Sequence, residues 1–342
     1  MVWRKKARVT AGAYHQDMIE SPTTSGTAAT ASVRNPAAST PMTQSALSRQ
    51  QLIVLVALTL VWGVNWPVMK VGVTEMPPLS FRAISVWIGI PVLAAGLWWL
   101  KTPFKLPRAH WPALLWLSLF NMFIWHALII VAIKNLSSGR AAILGYTMPI
   151  FSAILGALLF GAVLRWRNWL GVGAASVGVV LLLWHEFTRL AGAPLGVILA
   201  LLSAMSWALG TQLLRRSTIP VPTLTLAFWM TALTAPVLTG LALLLEQPQW
   251  VINSSQWIVP SASAWAAIGY NAVMIFGFAH AAWFYLARSL PPTASSLSVM
   301  LIPVVGLFTG ALTLGEVLHW QDWAAVALMV VAIGSVLWPQ KT

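Results

Sequence analysis

Apolar residues run through this chain in blocks of about twenty, each closed by a short polar stretch. The blocks lie at roughly 52–71, 79–99, 112–133, 140–160, 168–184, 193–213, 223–244, 263–285, 294–314 and 323–339. A helix needs about 20 mostly apolar residues to cross about 30 Å of hydrocarbon. Backbone in lipid has to satisfy its own hydrogen bonds, so each block is predicted to be a membrane-spanning helix. Residues 1–50 differ in kind. They are rich in Ser, Thr, Ala and Pro and hold no long apolar run, which predicts a disordered cytoplasmic tail. A presequence is an alternative that Asp17 and Glu20 oppose, and Met42 is an alternative start.

The apolar pattern repeats. Residues 111–184 return without a gap as residues 265–338, at a constant offset of 154. Trp111 returns as Trp265, His126 as His280, Pro149 as Pro303, Gly161 as Gly315, and Leu183-Trp184 as Leu337-Trp338. The first two blocks repeat at an offset of 145, which aligns Trp62 with Trp207, Lys70 with Arg215 and Pro91 with Pro236. The nine extra residues fit the polar stretch near 247–262. Each half therefore holds five helices, residues 51–185 and 193–339. Five is odd, so the second half enters the membrane from the opposite side. The expected fold is an all-α membrane protein of ten transmembrane helices in two inverted five-helix repeats, an architecture that commonly places a site near the midplane.

Composition agrees with burial in lipid: 58% of residues are hydrophobic, 8% are charged, and the mean hydropathy is +0.79. The net charge of +13 sits in short segments between apolar blocks rather than on one solvated face, so no nucleic-acid partner is expected. With the amino terminus inside, fifteen of the twenty Lys and Arg residues fall on the inner side, or nine against five without the tail. Both termini are thereby expected in the cytoplasm. The chain has no cysteine, which excludes disulfides and thiolate sites.

Several stretches resemble one family. Leu60-Val61-Trp62-Gly63-Val64-Asn65-Trp66 with Lys70, then Phe81-Arg82, and later Pro303 followed by Leu314-Gly315-Glu316, look like the repeat of EamA-type transporters of the drug/metabolite transporter superfamily. Residues 50–340 carry the resemblance, with Ala162 where the second half has Glu316. It implies a secondary transporter of small organic metabolites in a bacterial inner membrane, since that family moves amino acids, other metabolites and toxic compounds.

Candidate substrate contacts are the polar and aromatic residues within spans: Trp62, Asn65, Asn121, His126, Tyr146, Trp207, Asn271 and His280. Ionisable groups inside a membrane are costly and usually face a cavity or a partner. His126 and His280 lie about four residues past the middle of helices that run in opposite directions. They are expected on opposite sides of the midplane, each displaced about 6 Å. Asn side chains serve cavities and helix-to-helix bonds alike. Pro149 and Pro303 are expected to kink helices four and nine near their middles. Arg82 and Glu316 are expected near the outer surface, where an ion pair between them would gate the mouth. The stripe Ser152, Gly156, Ala157 and Gly161, repeated as Gly306, Gly310, Ala311 and Gly315, predicts close helix packing.

The leading expectation is therefore export of amino acids or related amphipathic amines by alternating access. A lipid-linked substrate flippase and an organophosphate or nucleotide-sugar-like carrier fit the same architecture. An intramembrane enzyme would need a carboxylate pair, a metal cluster or an activated nucleophile at depth, and none is apparent. No catalytic residue, metal or cofactor is expected, and the partners are a small-molecule substrate and the bilayer. Monomer and dimer both remain open.

Overall fold

The computed structural model describes residues 48–161, 166–188, 194–246, 251–252, 256–257, 259–289 and 301–337. The expected tail, residues 1–47, lies outside them. The helices, numbered in chain order, are α1 Arg49–Glu75, α2 Pro78–Trp99, α3 Arg108–Asn135, α4 Ser138–Phe160, α5 Trp166–Thr188, α6 Pro194–Arg216, α7 Thr223–Glu246, α8 Ala262–Ser289, α9 Ile302–Leu314 and α10 Trp320–Leu337. Seven are long and apolar enough to cross a membrane; α5, α9 and α10 carry shorter apolar stretches. Residues 292–299, the counterparts of the first part of α4, fall outside the described set. Among the described residues the only extended pairing is a two-residue antiparallel bridge, Val251 to Trp257 and Ile252 to Gln256, within the stretch that holds the nine extra residues.

Local chemistry sets the helix ends. Ser48 and Gln51 form a reciprocal cap on α1, side chain to backbone at 3.1 and 3.0 Å. Ser137 and Ser261 cap α4 and α8 by accepting from Arg140 and Ala264. Pro78 opens α2, where its missing N–H has no intrahelical partner to lose. Gly161 ends α4 at φ 67° and Gly315 ends α9 at φ 65°, both in the left-handed region that favours glycine. These two glycines have nothing within 4 Å of a notional Cβ, so they are caps rather than members of the packing stripe. Gly306 and Gly310 do pack, against Trp66 and Ala142 and against Ser138, all in the same chain.

The repeat is visible in three dimensions. A wider π-turn interrupts α3 at Leu119–Ile124 and α8 at Asn271–Ala279, and a histidine lies just beyond each. In both helices eighteen residues precede that histidine and nine follow it. The packing is reciprocal. α1 lies against α8 and α9 of the other half, and α6 lies against α3 and α4. α2 packs on α7, and α5 packs on α10. Pro67, Pro91 and Pro236 fall inside α1, α2 and α7, as the sequence suggests. Pro149 and Pro303 do not. α4 breaks at Tyr146-Thr147, and Pro149 occupies the first turn of its second part; Pro303 occupies the first turn of α9. The kink expected near the middle of helix four falls at this break, beside Pro149; the residues that would lie before a kink at Pro303 are outside the described set.

Large apolar side chains cover the outside, as contact with lipid requires. Trp98 and Trp99 end α2, Trp166 and Trp169 begin α5, and Trp320 and Trp323 begin α10, all exposed. Indole rings at helix ends suit the headgroup level.

Candidate functional site

A chain built from two related halves has a special place where equivalent residues touch. His126 and His280 are equivalents, and their Nε2 atoms lie 3.1 Å apart. Trp62 and Trp207 are also equivalents, with ring centroids 6.1 Å apart. Both contacts straddle the axis relating the halves. The expected separation of the histidines by about 6 Å on each side of the midplane is therefore overturned. That estimate placed the axis at the helix middles, whereas α3 and α8 cross it at the histidines, two thirds of the way along.

The hydrogen bonds constrain the protons. His280 Nδ1 donates to the carbonyl of Ile275 at 2.8 Å. A neutral His280 then presents a bare Nε2, so His126 Nε2–H donates to it and His126 Nδ1 is left with a lone pair. That Nδ1 has no hydrogen-bond partner among the described residues. Protonating both rings would set two donors against each other across 3.1 Å, so the pair holds at most one added proton. Phe276 stacks on His280 at 5.2 Å and contacts His126 at 5.0 Å.

Beside the histidines is a small cavity of about 30 Å³, lined by Trp62, Asn65, Arg82, His126, Tyr146, Trp207 and His280, among others. That volume holds a water molecule or two. Six of the eight expected contact residues, Trp62, Asn65, His126, Tyr146, Trp207 and His280, are brought together here. The other two are not. Asn271 stands behind the wall, accepting from Arg82 Nη1 at 3.0 Å. Asn121 lies elsewhere, donating to the Leu117 carbonyl at 3.3 Å and pressed against Gly210 of α6. It is a packing residue, and so is Gln212, which joins α6 to Ser152 of α4.

Arg82 is the residue that the sequence misplaced. It was expected at the outer mouth, paired with Glu316, but it is 1% exposed and lines the cavity. Its hydrogen-bond partners are the Asn271 oxygen and the Met69 sulfur, with the rings of Phe81 and Phe276 about 6 Å from the guanidinium carbon. Glu316 instead accepts from the Ser138 backbone and hydroxyl and the Gly139 backbone, at 2.7, 2.9 and 3.2 Å, at the start of α4. A second carboxylate does the same for α2. Glu246, the last residue of α7, accepts from the backbone N–H groups of Leu79 and Ser80 at 2.7 Å each and from the Ser80 hydroxyl at 2.8 Å. Glu75, ending α1, accepts from Ser261 and Ser263 at the start of α8. Each of these three bonds one half of the chain to the other. The ion pair that does form at a helix start is Arg140 with Asp322, at 2.8 Å. Hydropathy gave no signal for Glu246, because it lies two residues past the apolar block.

The opposite end of α7 looks different. There the ends of α6 and α8 border an opening of about 800 Å³, whose lining includes Gln212, Arg215, Arg216 and Arg288. α7 separates the two regions by 24 residues, about 36 Å of helix.

Paired helical repeats, a lipid-facing exterior and a polar, aromatic site on the axis define a multi-pass membrane protein of the carrier type. The chain belongs to the EamA-like transporter family, whose model matches residues 50–184 and again residues 194–338. It is a membrane transporter. It is 30% identical over 300 residues to the "Uncharacterized inner membrane transporter YedA" of Escherichia coli K12, covering 84% of this chain and 92% of that protein. It is 27% identical to the "Probable amino-acid metabolite efflux pump" of Salmonella typhimurium LT2, covering 84% and 94%. A solved structure titled "Crystal structure of protein" matches with a TM-score of 0.61 at 22% identity, covering 84% of this chain and 96% of that one, which shows the fold.

Proposed function

We propose that the chain is a secondary transporter that exports small organic metabolites, amino acids foremost, by alternating access through ten helices in two inverted repeats. The observation that carries this reading is the site on the axis. Two equivalent histidines, two equivalent tryptophans and one buried arginine meet where the two halves touch, which is where a two-sided carrier needs its substrate. The relative whose name refers to amino-acid metabolite efflux supports the substrate class.

The two ends support alternation. One carries the three carboxylate bonds between halves, and the other has the large opening. The axial cavity is too small for a metabolite, so loading requires the tryptophan walls to part. Trp62, Trp125 and Trp207 make edge-to-face or tilted contacts at 5.1 to 6.1 Å, which can separate without breaking a hydrogen bond. Substrate contacts are assigned to Trp62, Asn65, Arg82, His126, Tyr146, Trp207 and His280.

The test is efflux from proteoliposomes loaded with a mixture of amino acids and metabolites, read by mass spectrometry against protein-free vesicles and against the Trp62→Ala/Trp207→Ala variant. Selective loss of one compound class from vesicles holding the unaltered protein is the expected result. Equal retention in all three preparations would overturn the reading.

A further inference from the structure

Arg82 is a buried cation with no carboxylate partner among the described residues. Each carboxylate whose side chain is described is engaged elsewhere: Glu75 by Ser261 and Ser263, Glu246 by Leu79 and Ser80, Glu316 by Ser138 and Gly139, and Asp322 by Arg140. Arg82 has a neutral amide oxygen and a thioether as its polar partners, and its Nε has none among the described residues. A buried charge is normally paired, because desolvation without a partner costs several kcal/mol. Fork-shaped guanidinium donors match a carboxylate, and they are worth most where water is excluded.

The other unpartnered atoms around the cavity are one further donor, Trp207 Nε1, and two acceptors. Asn65 Oδ1 and His126 Nδ1 are buried acceptors without donors. The site therefore offers donors at Arg82 and Trp207 and acceptors at Asn65 and His126. The opening at the far end repeats the sign, for among the described residues it is lined by Arg215, Arg216 and Arg288 and by no carboxylate. A mouth of one sign concentrates ligands of the other.

We infer that the transported molecule carries a carboxylate that takes Arg82 as its counter-ion, beside an amino group that reaches Asn65 and His126. This rests on the carrier reading above and narrows it: a cationic amine without a carboxylate is excluded, because it would place two like charges in one small buried cavity. A phosphomonoester brings two negative charges to a single arginine and is also excluded. The pairing explains why an arginine is held at 1% exposure with no carboxylate partner among the described residues.

The experiment compares three matched sets of probes on the full-length protein: the proteinogenic amino acids, their decarboxylated amines, and their deaminated acids. A phosphomonoester set is added. Each is assayed by proteoliposome efflux and by ligand-induced thermal stabilisation, with the unaltered chain, Arg82→Met and Arg82→Lys. Amino acids should move and stabilise, and amines and phosphomonoesters should do neither. Affinity should fall about tenfold to a hundredfold in Arg82→Met and recover in part in Arg82→Lys. The melting temperature of ligand-free Arg82→Met should stay level or rise, because an unpaired buried charge has been replaced by a long apolar chain. A purely structural arginine would lower it. Transport of amines or phosphomonoesters, or undiminished amino-acid binding by Arg82→Met, would overturn the carboxylate anchor while leaving the carrier reading intact. Movement of no compound of any class would overturn the carrier reading and this inference with it.

Discussion

Replacing Glu246 with Gln should release one end of the molecule. Glu246 is 3% exposed and holds the first turn of α2 through two backbone N–H groups and one hydroxyl at 2.7 to 2.8 Å. Glutamine keeps the shape but turns one oxygen into an NH2 group, so one of the backbone donors then faces another donor. A buried donor without a partner costs about 1–3 kcal/mol, and losing the negative charge at a helix N-terminus costs about 0.3–1 kcal/mol more. The state in which the halves are joined at this end should therefore lose about 2 kcal/mol relative to a parted state, a shift of about thirtyfold in population. The chain has no cysteine, so a single reporter can be introduced without background. Met76, 3% exposed at the end of α1, is suitable. Met76→Cys should react with a maleimide about thirtyfold faster when combined with Glu246→Gln. The same change at Glu75, whose hydroxyl partners lie at the surface, should alter the rate far less. An unchanged rate in a variant that still elutes as folded protein would show that this carboxylate does not hold the end closed.

Three further outcomes are expected. Gly63→Ala should destabilise by about 1–3 kcal/mol, because its Cβ would lie against the Val305 side chain with 2.5 Å to Val305 Cβ; thermal unfolding in detergent measures it, and an unchanged midpoint would contradict the close approach of α1 and α9. Gly161→Ala and Gly315→Ala should each cost about 1–2 kcal/mol from left-handed backbone alone, with no clash. Because these positions are equivalent, markedly unequal unfolding midpoints would count against equivalent caps. If transport is driven by a proton gradient, His126→Gln/His280→Gln should abolish the pH dependence measured in proteoliposomes, since the pair on the axis can hold one added proton. A retained pH profile would remove the pair from coupling.

What the sequence determined is what depends on one helix at a time. Nine of the ten apolar blocks located a described helix to within about four residues at each end, because a lipid-spanning segment must be apolar over its whole length; the start of the ninth lies outside the described residues. The offset of 154 paired the halves, and it foretold that Gly161 and Gly315 would adopt matching roles and that His126 and His280 would be related. Which face each helix turns inward was not legible. Lipid tails and protein interior are equally apolar, so these helices lack the two-sided pattern that orients a helix in water. That decision belongs to the packing of α1 between α8 and α9 and of α6 between α3 and α4. It brought Arg82 to the axis rather than to the outer mouth, set the two histidines in contact, turned Asn121 away against Gly210, and gave Glu246 and Glu316 to helix starts in the opposite half. A carboxylate just beyond an apolar block looks like a solvated end in sequence. Only the neighbouring helix, with its unpaired N–H groups, made it a bond between halves.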